Sequence, residues 1–311
     1  MRATLNALTA ELRRLKTTGV TTVSVGDDSL AILRRLVASK RKEQGIGEDE
    51  SPARASNGSP ARDEPSLRSQ LRQRATPARK EVKPEPVLPA PPIVELPNGD
   101  KQQRWDALVQ LVSKDETCRS QLRPGKQPVI GVGSLDSQIF FCGEAPGAEE
   151  ENAGEPFVGP AGQLLTKMIG AMGLKRSEVY IGNIMNWRPP MPTVGGEPQI
   201  GNRPPTAEEL AYCLPYLRAQ LDIVKPSAIV ALGTTAARGL LGAGSFKTLG
   251  EIRGKWHQFG ENAVMVTYHP SYILRNQSNR SKRMIWEDFL KVMERIELEI
   301  SPKQRGYFQA R

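Results

Sequence analysis

Residues 104–298 predict a three-layer α/β/α fold with a central four-stranded parallel sheet. Three observations carry that expectation. Four short apolar runs rich in Ile, Val or Phe are nearly continuous, as strands buried on both faces must be. Segments with helical apolar spacing alternate with them, and one of those segments opens on a helix-capping sequence. The strands are Gln138–Cys142, Val179–Ile181, Ala228–Leu232 and Ala263–Thr267. Between them, Leu164, Leu165, Met168, Ile169 and Met172 form one helical stripe, and Leu210, Cys213, Leu214, Leu217 and Leu221 form another. The second stripe starts at Thr206-Ala-Glu-Glu209, a capping box in which each end satisfies an orphan N–H. Pro215 inside it predicts a kink. A last helix is expected from about Lys282 to Ile296. In an open sheet of this kind the site lies at the carboxyl ends of the strands.

The chain ahead of this region has a different character. Residues 41–100 hold no aromatic residue, 10 of the 25 prolines, and 10 basic against 10 acidic side chains. Too little apolar surface is available there to offset chain entropy, so residues 41–103 are expected to be a disordered, proline-rich linker. Within residues 1–40, Leu5, Leu8, Leu12 and Leu15 follow a 3-4-3 helical spacing, and a second short helix is expected over Ser29 to Lys40. Two readings of this segment stand: a partly ordered terminus, or a helix that docks a partner protein. Glu11 and the lack of a Ser-rich region argue against a transit peptide. The expected division is therefore 1–40, 41–103, a catalytic domain at 104–298, and a tail at 299–311.

Composition narrows the functional class. Nowhere in the 311 residues does a run approach the roughly 18 apolar residues that a membrane helix needs, and no signal-peptide core opens the chain. Membrane and secreted disulfide-rich classes are excluded on that basis, and no membrane partner is expected. Three cysteines, Cys118, Cys142 and Cys213, suit a reducing cytoplasm. Two histidines, His257 and His269, limit any His-based metal site. A formal charge of +9 makes a polyanion a reasonable partner.

The informative residues follow the strands. The first runs into Gly143-Glu-Ala-Pro-Gly147, then Ala148-Glu-Glu-Glu151, then Glu155-Pro-Phe157-Val-Gly-Pro-Ala-Gly162. This is neither a phosphate-binding P-loop nor a dinucleotide GxGxxG, since the Gly-Lys-Ser/Thr and the glycine spacing are missing. It combines tight turns with carboxylates and one aromatic. The second strand leads to Asn183, followed by Ile-Met-Asn-Trp-Arg188-Pro-Pro190. An Asn there offers both donor and acceptor to a base edge, although Asn also forms turns. The fourth ends in His269-Pro-Ser271-Tyr-Ile-Leu274-Arg275. His is the natural neutral-pH donor, and its place at a strand's carboxyl end favours a functional role.

GEAPG…E…EPFVGPAGQLL, GNIMNWRPP and HPSYILR, in this order, resemble the uracil-DNA glycosylase superfamily, family 4 above all. The resemblance covers about residues 104–298. It implies a monofunctional enzyme that flips a damaged base out of DNA, hydrolyses its N-glycosidic bond and so initiates base-excision repair. By that resemblance Phe157 stacks on the base, Asn183 reads the uracil edge, and backbone N–H groups near Glu144 and Ala145 hold it. His269 would donate to uracil O2. Glu150 is the first candidate for positioning water, Ala145 standing where better-known relatives carry Asp, and Glu144 would orient the loop. Glu149 and Glu151 read as solvated charge. Ser271, Leu274 and Arg275 would contact DNA, with Leu274 filling the vacated space or else sitting in the core. Lys282 and Arg283 are further phosphate-contact candidates, whereas Trp256 and His257 read as packing and surface residues. The expected partner is DNA carrying uracil or another damaged base, bound by a monomer. A catalytically weak damage-binding protein, or a glycosylase for another base, are the alternatives.

Family 4 members usually hold a 4Fe–4S cluster with four cysteines. Here Cys118 and Cys213 match two ligand positions, while Gln121 and Trp187 occupy the other two. Two thiolates do not make the usual four-cysteine site. The expectation is therefore no cluster and no metal, with Cys213 a small buried hydrophobe and Trp187 filling the vacated volume.

Overall fold

A computed structural model describes residues 88–191 and 199–309. The leucine-patterned segment, the second short helix and the linker as far as residue 87 lie outside the described residues, as do residues 192–198 of the loop after Pro190. Strands β1 (Val132–Gly133), β2 (Ile139–Gly143), β3 (Tyr180–Asn183), β4 (Ala228–Leu232), β5 (Trp256–Phe259) and β6 (Asn262–Thr267) form one sheet in the order β1-β3-β2-β4-β6-β5. The four central strands are parallel, as expected from their apolar runs. Both edges are antiparallel additions, β1 on β3 and β5 on β6. Neither announces itself: β1 has only two residues, and Trp-His-Gln-Phe in β5 lacks a continuous apolar run.

Because side chains alternate across a strand, each central strand feeds two cores. Ile139, Phe141, Ile181, Val230 and Met265 meet α4 (Pro160–Met172) and α9 (Asn279–Arg295) on one face. Phe140, Cys142, Tyr180, Ile229 and Val264 meet α5 (Ala207–Val224) and α6 (Thr234–Leu241) on the other. The Thr206/Glu209 capping box forms, and α5 continues through Pro215. A third cluster joins α1 (Lys101–Lys114) and α2 (Glu116–Gln121) to α5 and the chain leaving β3; Leu88, Val94 and Leu96 pack against it, so the linker expected to be disordered through residue 103 gives way to packed chain by residue 88. The described part of the tail also packs: Trp286 Nε1 donates to the Gln304 carbonyl at 2.6 Å, and Gln304 donates to Ala171 at 2.9 Å. Arg283 donates to the carbonyls of Arg305 and Tyr307 at 2.8 and 2.9 Å, so its guanidinium anchors the tail.

Candidate active site

A cleft of about 540 Å³ opens at the carboxyl ends of β2, β4 and β6. Glu144 and Ala145 border it after β2, Thr234 and Thr235 after β4, and His269, Ser271, Tyr272 and Arg275 after β6. Glu144 is half-buried, and burial pushes its carboxyl up while a hydrogen bond with Thr235 opposes the shift. Asn202 and Arg203 close the other side. Arg203 is itself committed to Glu209 by two bonds of 2.7 Å.

Phe157 and Asn183 do not line this cleft; they meet beside it, above the end of β2. Asn183 is the last residue of β3, in register with Gly143, so it is a strand residue and not a turn. Only 5% exposed, its side chain makes no hydrogen bond among the described residues. Its amide atoms are not among those sealed from solvent without a partner, so donor and acceptor both stay available to a ligand with complementary edges. Phe157 is buried and adopts φ +55°, a left-handed conformation that is uncommon for an aromatic residue. Its loop is held from three sides. One Glu150 oxygen accepts from Val158 and Gly159 N–H at 3.1 and 2.9 Å, and the other accepts from Gly147 N–H at 3.0 Å. Arg176 donates to the Pro156 carbonyl at 2.6 Å. Gly162 at the first turn of α4 has no side chain to overlap the Phe157 carbonyl. Glu150 is thus the clip of the aromatic loop, with three of its acceptor sites engaged, and it does not border the cleft. The carboxylate that does border it is Glu144.

His269 caps α8 (Pro270–Arg275) through its own ring: Nδ1 accepts from Ser271 N–H at 3.2 Å and lies 2.9 Å from Ser271 Oγ. A nitrogen that accepts a backbone N–H is unprotonated, so in the neutral ring the proton sits on Nε2. Burial pushes the imidazole down to about 4, Arg275 adds to the shift, and Glu150 opposes it. The ring centroid stands 5.7 Å from that of Phe157 with a tilt of 32°. Ser271, expected on DNA, thereby also fixes the tautomer of His269. Leu274 is 41% exposed, which removes the core reading, and Arg275 is exposed beside it.

Glu149 is solvated, as expected, but Glu151 is not: it is 4% exposed and bonds Arg123 at 2.9 Å and Arg188 at 3.4 Å. Its place on α3 (Ala148–Ala153) turns it toward the chain leaving β3, where Arg188 needs a counter-charge. Arg188, also 4% exposed, donates to Asn202 Oδ1 at 2.7 Å and to the Gly201 carbonyl at 2.6 Å. One buried charge in a run of three consecutive glutamates carries no periodicity, so the sequence concealed it.

The donor set does not fit a four-thiolate cluster. Cys118 and Cys213 are fully buried, and burial is the largest influence holding both thiols well above their ordinary range. Trp187 is 1% exposed within the same apolar cluster, and its indole N–H has no partner among the described residues. What joins the helices here is Asp115, whose Oδ2 accepts from the Tyr212 and Tyr216 hydroxyls at 2.7 and 2.8 Å. Burial raises this carboxyl, but those bonds and the Cys118 N–H outweigh it and hold it below its usual value. Asp115→Ala is expected to lower stability by about 2–4 kcal/mol, since two hydroxyls and a helix N-cap lose their acceptor. Denaturant unfolding checks this; a change within about 0.5 kcal/mol would show the bonds contribute nothing net.

The fold and this cleft invite comparison with known proteins. A model of the uracil DNA glycosylase superfamily matches residues 130–290. A type-4 uracil-DNA glycosylase of Thermotoga maritima is 42% identical over 202 residues, covering 64% of this chain and 98% of that protein. Its namesake in Pyrobaculum aerophilum is 40% identical over 163 residues, covering 50% and 78%. A type-5 uracil-DNA glycosylase of Pyrobaculum aerophilum is 32% identical over 160 residues, covering 47% and 66%. With its mostly parallel sheet, its cleft at the strand ends and the family match across both, the chain belongs to the uracil DNA glycosylase superfamily.

Proposed function

We propose that this protein is a monofunctional uracil-DNA glycosylase, which rotates uracil out of DNA and hydrolyses its N-glycosidic bond to initiate base-excision repair. The observation that carries the reading is the grouping above Gly143 of an unpartnered Asn183 amide and the Phe157 ring, with the His269 ring tilted alongside at 5.7 Å. Phe157 stacks on the extruded base. Asn183 meets the uracil edge with donor and acceptor, and cytosine would oppose a donor with a donor. As the bond to C1′ breaks, its electron pair stays with uracil and negative charge spreads to O2, where the Nε2–H of His269 donates. Water adds its oxygen to C1′ and gives up a proton, which neutralises the departing uracil anion. Glu144, at the cleft wall, orients that water, a role moved from Glu150 because Glu150 is engaged by the loop. Arg275 takes a phosphate, and Leu274 fills the gap left in the stack. The two-thiol donor set supports an enzyme that works without an iron–sulfur cluster. On the same reading it acts as a monomer on chromosomal DNA in the cytoplasm.

Single-turnover cleavage of matched oligonucleotides carrying U, hypoxanthine, xanthine or an unmodified base tests this, with alkali revealing abasic sites. Uracil-dependent cleavage lost in an Asn183/His269 double variant supports the assignment. Cleavage only at another base replaces the substrate, and tight damage binding without cleavage replaces the activity. Asn183→Asp is expected to narrow the preference for uracil over cytosine by at least about tenfold, the worth of one bidentate base contact. Unchanged selectivity would remove Asn183 from base reading.

A further inference from the structure

The glycosylase mechanism leaves one feature of the cleft wall unused. Tyr268 and Tyr272 are stacked, with ring centroids 4.3 Å apart and planes within 15°, and both border the cleft. The stack is backed from below. Arg253 lies 5.4 Å from the centroid of Tyr268. Arg253 is itself fixed, donating to both oxygens of Asp288 at 2.8 Å and to the Met284 carbonyl at 2.7 Å. Asp288 is 1% exposed and accepts from Thr267 Oγ1 at 2.6 Å, at the end of β6. At the outer end, Asn276 donates to the Tyr272 hydroxyl at 3.3 Å. Tyr272 is therefore a ring whose plane is set before any ligand arrives. Among the described residues no other ring stacks on it, and its neighbours on the cleft include His269 and Arg275.

We propose that Tyr272 is a stacking platform for a base flanking the uracil, and that it biases the enzyme toward unpaired DNA. The proposal rests on the glycosylase reading and adds a residue that governs substrate preference. An aromatic ring stacks on any base because every base presents a π-face, and each such contact is worth about 1–3 kcal/mol. Preorganisation strengthens it, since the Arg253–Tyr268 backing leaves little side-chain freedom to lose on binding. A base in duplex DNA already has both faces covered by its neighbours. Only in a single strand, or where the duplex has opened, does a flanking base have a face to offer. Leu274, two residues on along α8 and exposed, is a different contact from this one.

A cycle of protein and DNA changes tests the assignment with the full chain. Wild type, Tyr272→Ala and Tyr272→Phe are assayed for kcat/KM on single-stranded uracil oligonucleotides. The substrates carry normal flanks or an abasic analogue immediately 5′ or 3′ to the uracil. Tyr272→Ala is expected to cost roughly tenfold on the intact strand, within the range of one base–aromatic stack. On one of the two flank-deleted strands it should cost less than about twofold, because the partner is already gone. Tyr272→Phe, which keeps the ring, should stay within about twofold of wild type. A U·A duplex should be affected less than the single strand. In parallel, 2-aminopurine beside the uracil should lose fluorescence on binding wild type but not Tyr272→Ala, an equilibrium readout that does not depend on turnover. Equal losses on intact and both flank-deleted strands, with unchanged quenching, would overturn the stacking role while leaving the glycosylase assignment standing. No uracil excision by the wild type would instead sink the assignment on which it rests.

Discussion

His269→Ala is expected to lower single-turnover uracil excision by about 10²–10³ while leaving affinity for uracil-containing DNA nearly unchanged. That range is what one preorganised donor at a developing oxyanion contributes. The structure makes this donor unusually specific. Ser271 N–H occupies Nδ1, so the neutral ring has one proton to give and it resides on Nε2. Burial keeps the ring neutral by pushing its pKa down to about 4. The pH profile of the chemical step should therefore show no inflection near 6.5, where an ordinary histidine titrates. Protonating Nδ1 would break the bond from Ser271 N–H and uncap α8, so activity should fall only as the pH approaches about 4. Stability follows the same linkage. The native pKa lies below the unfolded one, so the unfolded chain binds more protons between them. The contribution is complete above about 6.5 and is lost as the pH falls toward about 4. A conventional inflection near 6.5 in the wild type, absent in His269→Ala, would show that the ring titrates freely and would refute the fixed tautomer. Undiminished excision by His269→Ala would remove it from the reaction.

The parallel strands were legible because burial on both faces writes a continuous apolar run, and the Thr206 cap was legible because its chemistry is local. Asn183, Phe157 and His269 stood out through order and resemblance, although nothing in the sequence showed Phe157 and Asn183 converging over one glycine. What the sequence left open shares a cause. Glu150 and Glu151 sit in a run of three glutamates, and only the turn of α3 decides which carboxylate clips the loop and which is buried against Arg188. Arg283 looked free until the tail was placed against it. Tyr268 and Tyr272 went unassigned because stacking is a relation between rings, and their spacing alone does not reveal it. In each case the missing term was a partner distant in sequence, which no local pattern encodes.

Gly143→Ala should cost at least about 100-fold in excision, the scale associated with misplacing reacting groups by about 1 Å. The effect does not come from the backbone, since Gly143 is not among the residues at positive φ. It comes from space: a Cβ here would overlap Asn183 Oδ1 and come within 2.5 and 2.6 Å of Phe157 Cζ and Cε2. Asn183 can yield only by turning its amide away from the position that reads the base, and the Phe157 loop is clipped by Glu150 and packed on Gly162. The added methyl must therefore rotate the amide or displace the ring, and overpacking of this kind costs about 1–3 kcal/mol in stability as well. Gly170→Ala is the control. It lies in α4 with nothing within 4 Å of the new Cβ, so activity should be unchanged and stability should rise by about 0.5–1 kcal/mol. Thermal unfolding and single-turnover rates on the two variants separate local crowding from a general intolerance of alanine. Phe157→Leu placed on the Gly143→Ala background should recover part of the lost stability without recovering excision, because the clash with the ring is relieved while that with Asn183 Oδ1 remains and the stacking surface is lost. Full activity in Gly143→Ala would mean that the crowding of Asn183 and Phe157 above β2 is not the arrangement that receives the base.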